Sequence, residues 1–295
     1  MRISTLPKAL AASVVVLSAF VFTVQSVPES TADTSVKVPS KQVQEVLQSA
    51  PVTPPKKKVL TSISKTKRPA AAIKLATVLT PTEEGLLPAV KQKDIKENHQ
   101  KIADAVLRAL PSPCRTNLKN FFVKYKDVKQ RGLGGKTTII IDGTAPDAEF
   151  AALLIHECGH VTHANMQGTS AGKETAFSDG AAMFYSNSPM VEFFSISWMT
   201  PEIRKAGSTG KDFASGYAES DSFEDFAESF AMYILHRPAM RERAQTNTAI
   251  AAKLAWMELY LPVAEDAVAT SSYTWNKDVP WDVTKLPMTL AASIR

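Results

Sequence analysis

Histidine and cysteine are scarce in this chain: among 295 residues, five are His and two are Cys. Two cysteines, Cys114 and Cys158, allow at most one internal disulfide, which would form only in an oxidising compartment. There is no internal repeat, so a solenoid or propeller is excluded. No Phe, Trp or Tyr occurs between residues 28 and 82. That segment, rich in Pro, Ser, Thr and Lys, cannot bury enough apolar area to offset the entropy of ordering it. Excess positive charge is also missing where a nucleic-acid fold would need it. Residues 28–70 hold eight Lys/Arg and three acids, a net of +5, whereas residues 71–295 hold 24 Lys/Arg and 26 acids, a net of −2. The basic character belongs to the N-terminal part, and no nucleic-acid partner is expected.

What is present divides the chain. Arg2 and Lys8 precede an almost unbroken apolar run, Ala9 to Val24, followed by the small-residue cluster Val24-Gln25-Ser26. Residues 1–26 read as a secretory signal peptide or as a retained N-terminal membrane anchor, and both stay open. Residues 27–82 read as a disordered tether whose basic composition suits contact with a cell-surface polymer or anionic lipid. The protein is expected to be exported, and either secreted or held at the outer face of the cytoplasmic membrane.

Residues 83–265 carry the patterns of a folded domain, and 266–295 read as a C-terminal wrap or tail. Apolar residues recur at helical spacing from Asp94 to Leu110, and prolines follow. The stretch 121–128 reads as a strand, 130–135 as a turn and 136–142 as a second strand, making an antiparallel pair. Thr144 and Asp147 offer a capping pair for the helix that follows. Residues 165–189 read as an irregular crossing, and 191–198 as a strand or buried segment. Helices are expected from about Ser222 and over 247–260.

The histidines are concentrated in LLIHECGHVTH, residues 153–163, on the expected helix. His156 and His160 stand four apart, one turn above each other, and can aim two imidazoles at one point. Zinc takes such ligands and keeps one position for water in catalytic sites. Glu157, about 100° round the helix from His156, flanks the metal position where a general base is needed. Cys158, two residues from each histidine, points away from them and reads as a small core residue. His163 shares the histidine face but lies too far along to reach the same ion, and reads as a polar neighbour. His99 and His236 read as exposed helix residues without a role.

A third ligand is needed, and FEDFAESFAMYIL, residues 223–235, offers it. In helical projection Phe223, Phe226, Phe230, Tyr233 and Ile234 form an apolar face, and Asp225, Ser229, Met232 and His236 an outer one. Between them runs a stripe of Glu224, Ala227, Glu228, Ala231 and Leu235. Two carboxylates in such a stripe need partners, because burying either one alone costs several kcal/mol. One could ligate zinc and the other could hold the free N–H of a zinc-bound histidine. The alanines allow close approach to the histidine helix.

His156-Glu157-Cys158-Gly159-His160 followed by this helix resembles the gluzincin class of zinc metallopeptidases. Tyr217, Glu224 seven residues on and Glu228 four further resemble the pattern of the anthrax lethal factor and Pro-Pro endopeptidase group. The resemblance covers about residues 90–260 and is tight only at 153–163 and 215–231. It implies an α+β zincin-like domain with a small, partly antiparallel sheet, an active-site helix and a helical C-terminal lobe. It also implies Zn2+ held by His156, His160 and Glu224, with Glu228 orienting a histidine and Tyr217 donating to the oxyanion. The 63 residues between His160 and Glu224 exceed the usual thermolysin-type spacing, which leaves Glu228 as an alternative ligand. By the same resemblance, residues 136–142 are the strand that pairs with an extended protein or peptide substrate. The expected activity is that of an exported zinc-dependent endopeptidase with Glu157 as general base. A zinc-dependent cell-wall amidase and a non-catalytic, zinc-retaining surface binding module are the alternatives.

Overall fold

The computed structural model describes residues 85–294, so the expected signal or anchor (1–26) and tether (27–82) lie outside the described residues. The first helix, α1 (Glu97–Ala109), buries Ile102, Ala103, Val106 and Leu107 on one face. A short helix, α2 (Ser112–Asn117), follows with Cys114 buried. Then come β1 (Asn120–Lys124), β2 (Gly132–Gly134) and β3 (Thr138–Asp142). Alternation places Phe121 and Val123 of β1, and Ile139 and Ile141 of β3, in the core.

The sheet order is β1-β3-β2. β1 runs parallel to β3, with Asn120 opposite Thr138 and Lys124 opposite Asp142. The antiparallel partner of β3 is β2, with Leu133 opposite Ile140. This corrects the expected antiparallel pair of 121–128 with 136–142. The residues expected to turn form a strand of their own on the far edge, and the intervening chain is long enough to cross to it. β3 is therefore central, with both edges occupied, and β2 is an edge.

The helix α3 (Asp147–Ala164) carries the histidine motif and is buried over most of its surface, as befits a helix at the centre of a domain. Its N-cap is Pro146 and makes no side-chain cap. The expected Thr144–Asp147 pair does not form. Instead Asp142 Oδ1 accepts from Thr144 N at 2.7 Å and from Thr144 Oγ at 2.6 Å. Cys158 pairs with Cys114 in a disulfide that ties α3 to α2, with the Cα atoms 5.3 Å apart.

The expected irregular crossing holds a hairpin, β4 (Glu174–Asp179) and β5 (Ala182–Tyr185), turned at Gly180 with φ +56°. The stretch 191–198, expected as a strand or buried segment, is largely buried, but as a helix, α4 (Pro189–Ser197). Ser188 accepts from Met190 N at 3.1 Å and Pro189 opens the first turn, so start signals prevail over the aromatic composition. Its buried residues Met190, Phe193, Phe194 and Ser197 have helical spacing. The helix α5 (Ser222–Leu235) is capped by Asp221, whose side chain accepts from Phe223 N and Glu224 N. Two more helices, α6 (Arg237–Ala244) and α7 (Thr248–Tyr260), complete the helical lobe. The tail returns to the body through β6 (Ala269–Ser271) antiparallel to β7 (Met288–Leu290).

The expected outer face of α5 is not outer. Asp225, Ser229, Met232 and His236 are all buried. Asp225 meets Lys253 Nζ of α7 at 2.7 Å and Trp198 Nε1 at 2.9 Å. A buried charge with an opposite charge and a donor on it is tolerated, so a polar residue did not mark solvent here. His99 and His236, read as exposed, are buried as well. His99 stacks on Phe150, and His236 Nδ1 meets Ser271 Oγ at 2.7 Å. The result is an α+β domain with a small mixed sheet, a central helix bearing the histidine motif and a helical C-terminal lobe. Among the described residues no helix is long and apolar enough to cross a membrane.

Candidate metal centre

The centre forms where α3 and α5 cross. Gly159 permits the approach: a Cβ built on it would lie 2.8 Å from Ala227 Cα. This contact lies between His156 and His160 on one helix and between Glu224 and Glu228 on the other, so all four side chains meet beside it.

The two glutamates take different sides of the imidazoles. Glu224 Oε2 lies 3.2 Å from His156 Nε2 and 3.5 Å from His160 Nε2. It is buried, yet neither ring N–H is directed so as to bond it, and among the described residues it has no hydrogen-bond partner. Its other oxygen accepts from Tyr217 OH at 3.1 Å. Glu228 lies on the opposite side of His156, with Oε1 at 2.8 Å from Nδ1. Its Oε2 accepts from Ser215 Oγ at 2.5 Å and from Val283 N at 2.9 Å.

Glu157 lies on the third side. Donor atoms of His156, Glu157 and His160 all fall within 4.8 Å of one another. The edge strand β2 is packed against the Glu157 carboxylate. A Cβ on Gly132 would lie 1.9 Å from Glu157 Oε1, and one on Gly134 would lie 2.8 Å from Oε2. Only glycines fit there.

Electrostatics follow from burial and from the concentration of acids. Burial opposes charge on His156, but Glu224 and then Glu228 outweigh it and hold its pKa up at about 10. Burial works in the other direction on Glu224, and the two histidines outweigh it, holding its carboxyl well below the usual range. Glu157 is pushed up by burial, with His156 and His160 opposing. Tyr217 is pushed up by burial and by Glu224.

His163 has a part that the sequence reading did not assign. Its Nε2 lies 3.2 Å from His160 Nδ1, and its ring stacks on Phe223 with centroids 5.0 Å apart. Burial, followed by His160, keeps its pKa well below that of a free imidazole, so it is neutral. If His160 offers its Nε2 lone pair to a cation, its Nδ1–H donates to His163 Nε2. The three-residue spacing on α3 was the available signal. Nothing in the sequence marked Ser215 or Val283, because a hydroxyl and a backbone N–H carry no motif.

Two imidazoles and a carboxylate form a donor set suited to zinc, and His156, Glu157 and His160 together offer one. The His156-Glu157-His160 group is consistent with a metal-dependent hydrolase of the gluzincin type. The chain matches no family model, no curated protein and no solved structure.

Proposed function

We propose that this domain is a zinc-dependent endopeptidase, with zinc held by His156, His160 and Glu224. One observation carries the reading: a buried carboxylate oxygen without a hydrogen bond stands 3.2 and 3.5 Å from two imidazole nitrogens. Donors on a tetrahedral zinc ion with bonds of about 2.0–2.1 Å are themselves separated by roughly 3.3 Å. Glu224 is preferred over Glu157 as third ligand because its oxygen faces both Nε2 atoms. Glu228, on the Nδ1 side, instead accepts from His156 and aims it. Tyr217, Glu224 and Glu228 keep the spacing that resembles the lethal factor and Pro-Pro endopeptidase group.

When bound, zinc supplies a Lewis acid that acidifies water and polarises a carbonyl. Glu157 takes the proton of the attacking water and returns it to the leaving nitrogen. Burial raises its pKa, which strengthens it as the base for the first transfer. Tyr217, held by Glu224 beside the centre, turns its hydroxyl to the developing oxyanion. An extended peptide pairs with the edge of β2 that no described strand occupies, which lies against Glu157. β3, expected from the resemblance to take that role, has both edges filled.

The disulfide favours an oxidising compartment and supports the expected export. Anchoring through residues 1–26, and contact of the basic tether with surface polymer, belong to the same proposal. The test is cleavage-site profiling of residues 83–295 on a diverse peptide library, with and without a chelator, alongside peptidoglycan fragments. Chelator-sensitive peptide cleavage that is lost in Glu157→Gln while zinc is retained is the expected result. Cleavage of peptidoglycan alone would make the protein an amidase. Bound zinc with no turnover would make it a binding module.

A further inference from the structure

The C-terminal segment, expected as a wrap or tail, reaches the metal centre. We propose that its strap, residues 280–285, is a positioning element that orients His156 through Glu228. The inference rests on the metal-site reading above.

Glu228 is fully buried, and its carboxylate has three partners. One is His156 Nδ1, at 2.8 Å from Oε1. The other two, Ser215 Oγ at 2.5 Å and Val283 N at 2.9 Å, both donate to Oε2. Val283 N–H comes from the strap, and it is the one backbone donor of the three. A buried carboxylate that loses a charge-assisted donor is left under-satisfied and turns to recover it. Turning carries Oε1 away from the imidazole it aims.

The same strap holds the segment that bears Tyr217. Gly216 N donates to Pro280 O at 2.8 Å, and Tyr217 N donates to Trp281 O at 2.8 Å. Ser215 Oγ also accepts from Ala218 N at 3.1 Å, so residues 215–218 are pinned between strap and α5. The fit leaves no slack, because a Cβ on Gly216 would lie 2.6 Å from Trp281 Cε3.

The strap is latched at its far end. Asp282 pairs with Arg131, and its other oxygen accepts from Thr284 N at 2.8 Å. Arg131 Nη2 also reaches Thr284 Oγ1 at 2.8 Å and Glu149 Oε1 at 2.7 Å. Arg131 immediately precedes β2, and Glu149 stands in the first turn of α3. One six-residue strap thus bonds to the His156-orienting carboxylate, the Tyr217 backbone and the root of the edge strand beside Glu157.

Val283→Pro isolates the key donor. Val283 opens a 3-10 turn, and Asp282 before it is extended with φ −149° and ψ 121°. Proline fits both backbone requirements, so the substitution removes the N–H while keeping the fold. Val283→Ala is the control, because it keeps the N–H and loses packing.

The readouts are zinc affinity by chelator competition and the visible spectrum of the cobalt-substituted protein, neither of which requires turnover. Val283→Pro is expected to bind zinc roughly 10–100-fold more weakly, with a changed cobalt spectrum. Val283→Ala is expected to match the wild type in both. Wild-type affinity and spectrum in Val283→Pro would overturn the inference, as would an equal loss in Val283→Ala. A wild-type protein that binds no zinc would overturn this inference together with the metal-site reading. A wild type that binds zinc while Val283→Pro is unaffected overturns this one alone.

Gly216→Ala answers the same question from the other side if Val283→Pro does not fold. It should push Trp281 and the strap outward and weaken zinc binding. Adding Trp281→Ala should restore binding by making room. Wild-type affinity in Gly216→Ala, or no rescue in the double variant, would overturn the inference.

Discussion

Ala227 Cα lies 2.8 Å from the point a Cβ on Gly159 would occupy, so the two helices that carry the proposed metal ligands meet here with no room for a side chain on Gly159. Gly159→Ala must push α5 outward. Overpacking of this kind costs about 1–3 kcal/mol. The displacement also opens the gaps of 3.2 and 3.5 Å that join Glu224 to the two imidazoles. Zinc affinity is expected to fall at least roughly tenfold, together with a lower melting temperature. Unchanged zinc affinity would show that this contact does not set the ligand spacing.

A second glycine acts on Glu157 and not on the metal. A Cβ on Gly132 would lie 1.9 Å from Glu157 Oε1, so Gly132→Ala must swing the carboxylate out of place. Zinc should stay bound, and kcat for peptide hydrolysis should fall by roughly 10²–10⁴, the range of a lost general base. Gly135 is the internal control, because a Cβ there meets nothing closer than Thr138 O at 3.9 Å. Gly135→Ala should therefore keep its activity. Equal losses in the two variants would mean that disruption of β2, and not the collision with Glu157, is responsible.

His163→Leu tests the outer hold on His160. The substitution removes the acceptor 3.2 Å from His160 Nδ1 and leaves that ring free to turn. Zinc affinity should drop roughly 10–100-fold. His163→Gln, whose amide oxygen can accept the same hydrogen bond, should lose less. A Leu variant with full affinity would reduce His163 to packing against Phe223.

These residues show where sequence reading reaches and where it stops. The pairs His156/His160 and Glu224/Glu228 were legible because the helical period brings residues four apart onto one line, and Glu157 because it directly follows the first histidine, about 100° round the helix. Tyr217 became legible only by resemblance, since no period links a turn to a helix. The sheet was half legible: alternation marked β1 and β3 as strands, but it carries no information about which neighbours pair, and their parallel pairing was missed. Asp225 was read as solvent-facing because composition cannot reveal that α7 brings Lys253 to within 2.7 Å of it. Val283 was invisible because its contribution is a backbone N–H, which every residue but proline has. The signal or anchor and the tether fall on residues outside the structural description.

The disulfide makes a prediction about stability. Cys114 and Cys158 are 44 residues apart in sequence. Closing a loop of that size stabilises a fold by about 4 kcal/mol in the chain-entropy account. Replacing both with Ser should lower the melting temperature by roughly 10 °C in a domain of this size. Zinc and the histidine geometry should persist well below that midpoint, because Cys158 faces α2 and not the metal. A double variant with an unchanged melting temperature would mean that the pair is not bonded in the protein as made.

Acid should destabilise the domain through His236. This residue is fully buried, with Nδ1 at 2.7 Å from Ser271 Oγ and with Nε2 lacking any hydrogen-bond partner among the described residues. Burial lowers its pKa from the ordinary 6.5 to about 4. Between those values the unfolded chain binds a proton that the folded one refuses. The neutral ring's contribution to stability is therefore complete above pH 6.5 and is lost as pH falls toward 4. The linkage amounts to about 3 kcal/mol over that window. His236→Phe removes the titration, so its unfolding free energy should fall less between pH 7 and pH 4 than that of the wild type. Urea unfolding across that range, with chelator present throughout so that metal release does not contribute, measures the difference. Parallel acid limbs in the two proteins would mean that His236 finds a proton acceptor or water in the folded state.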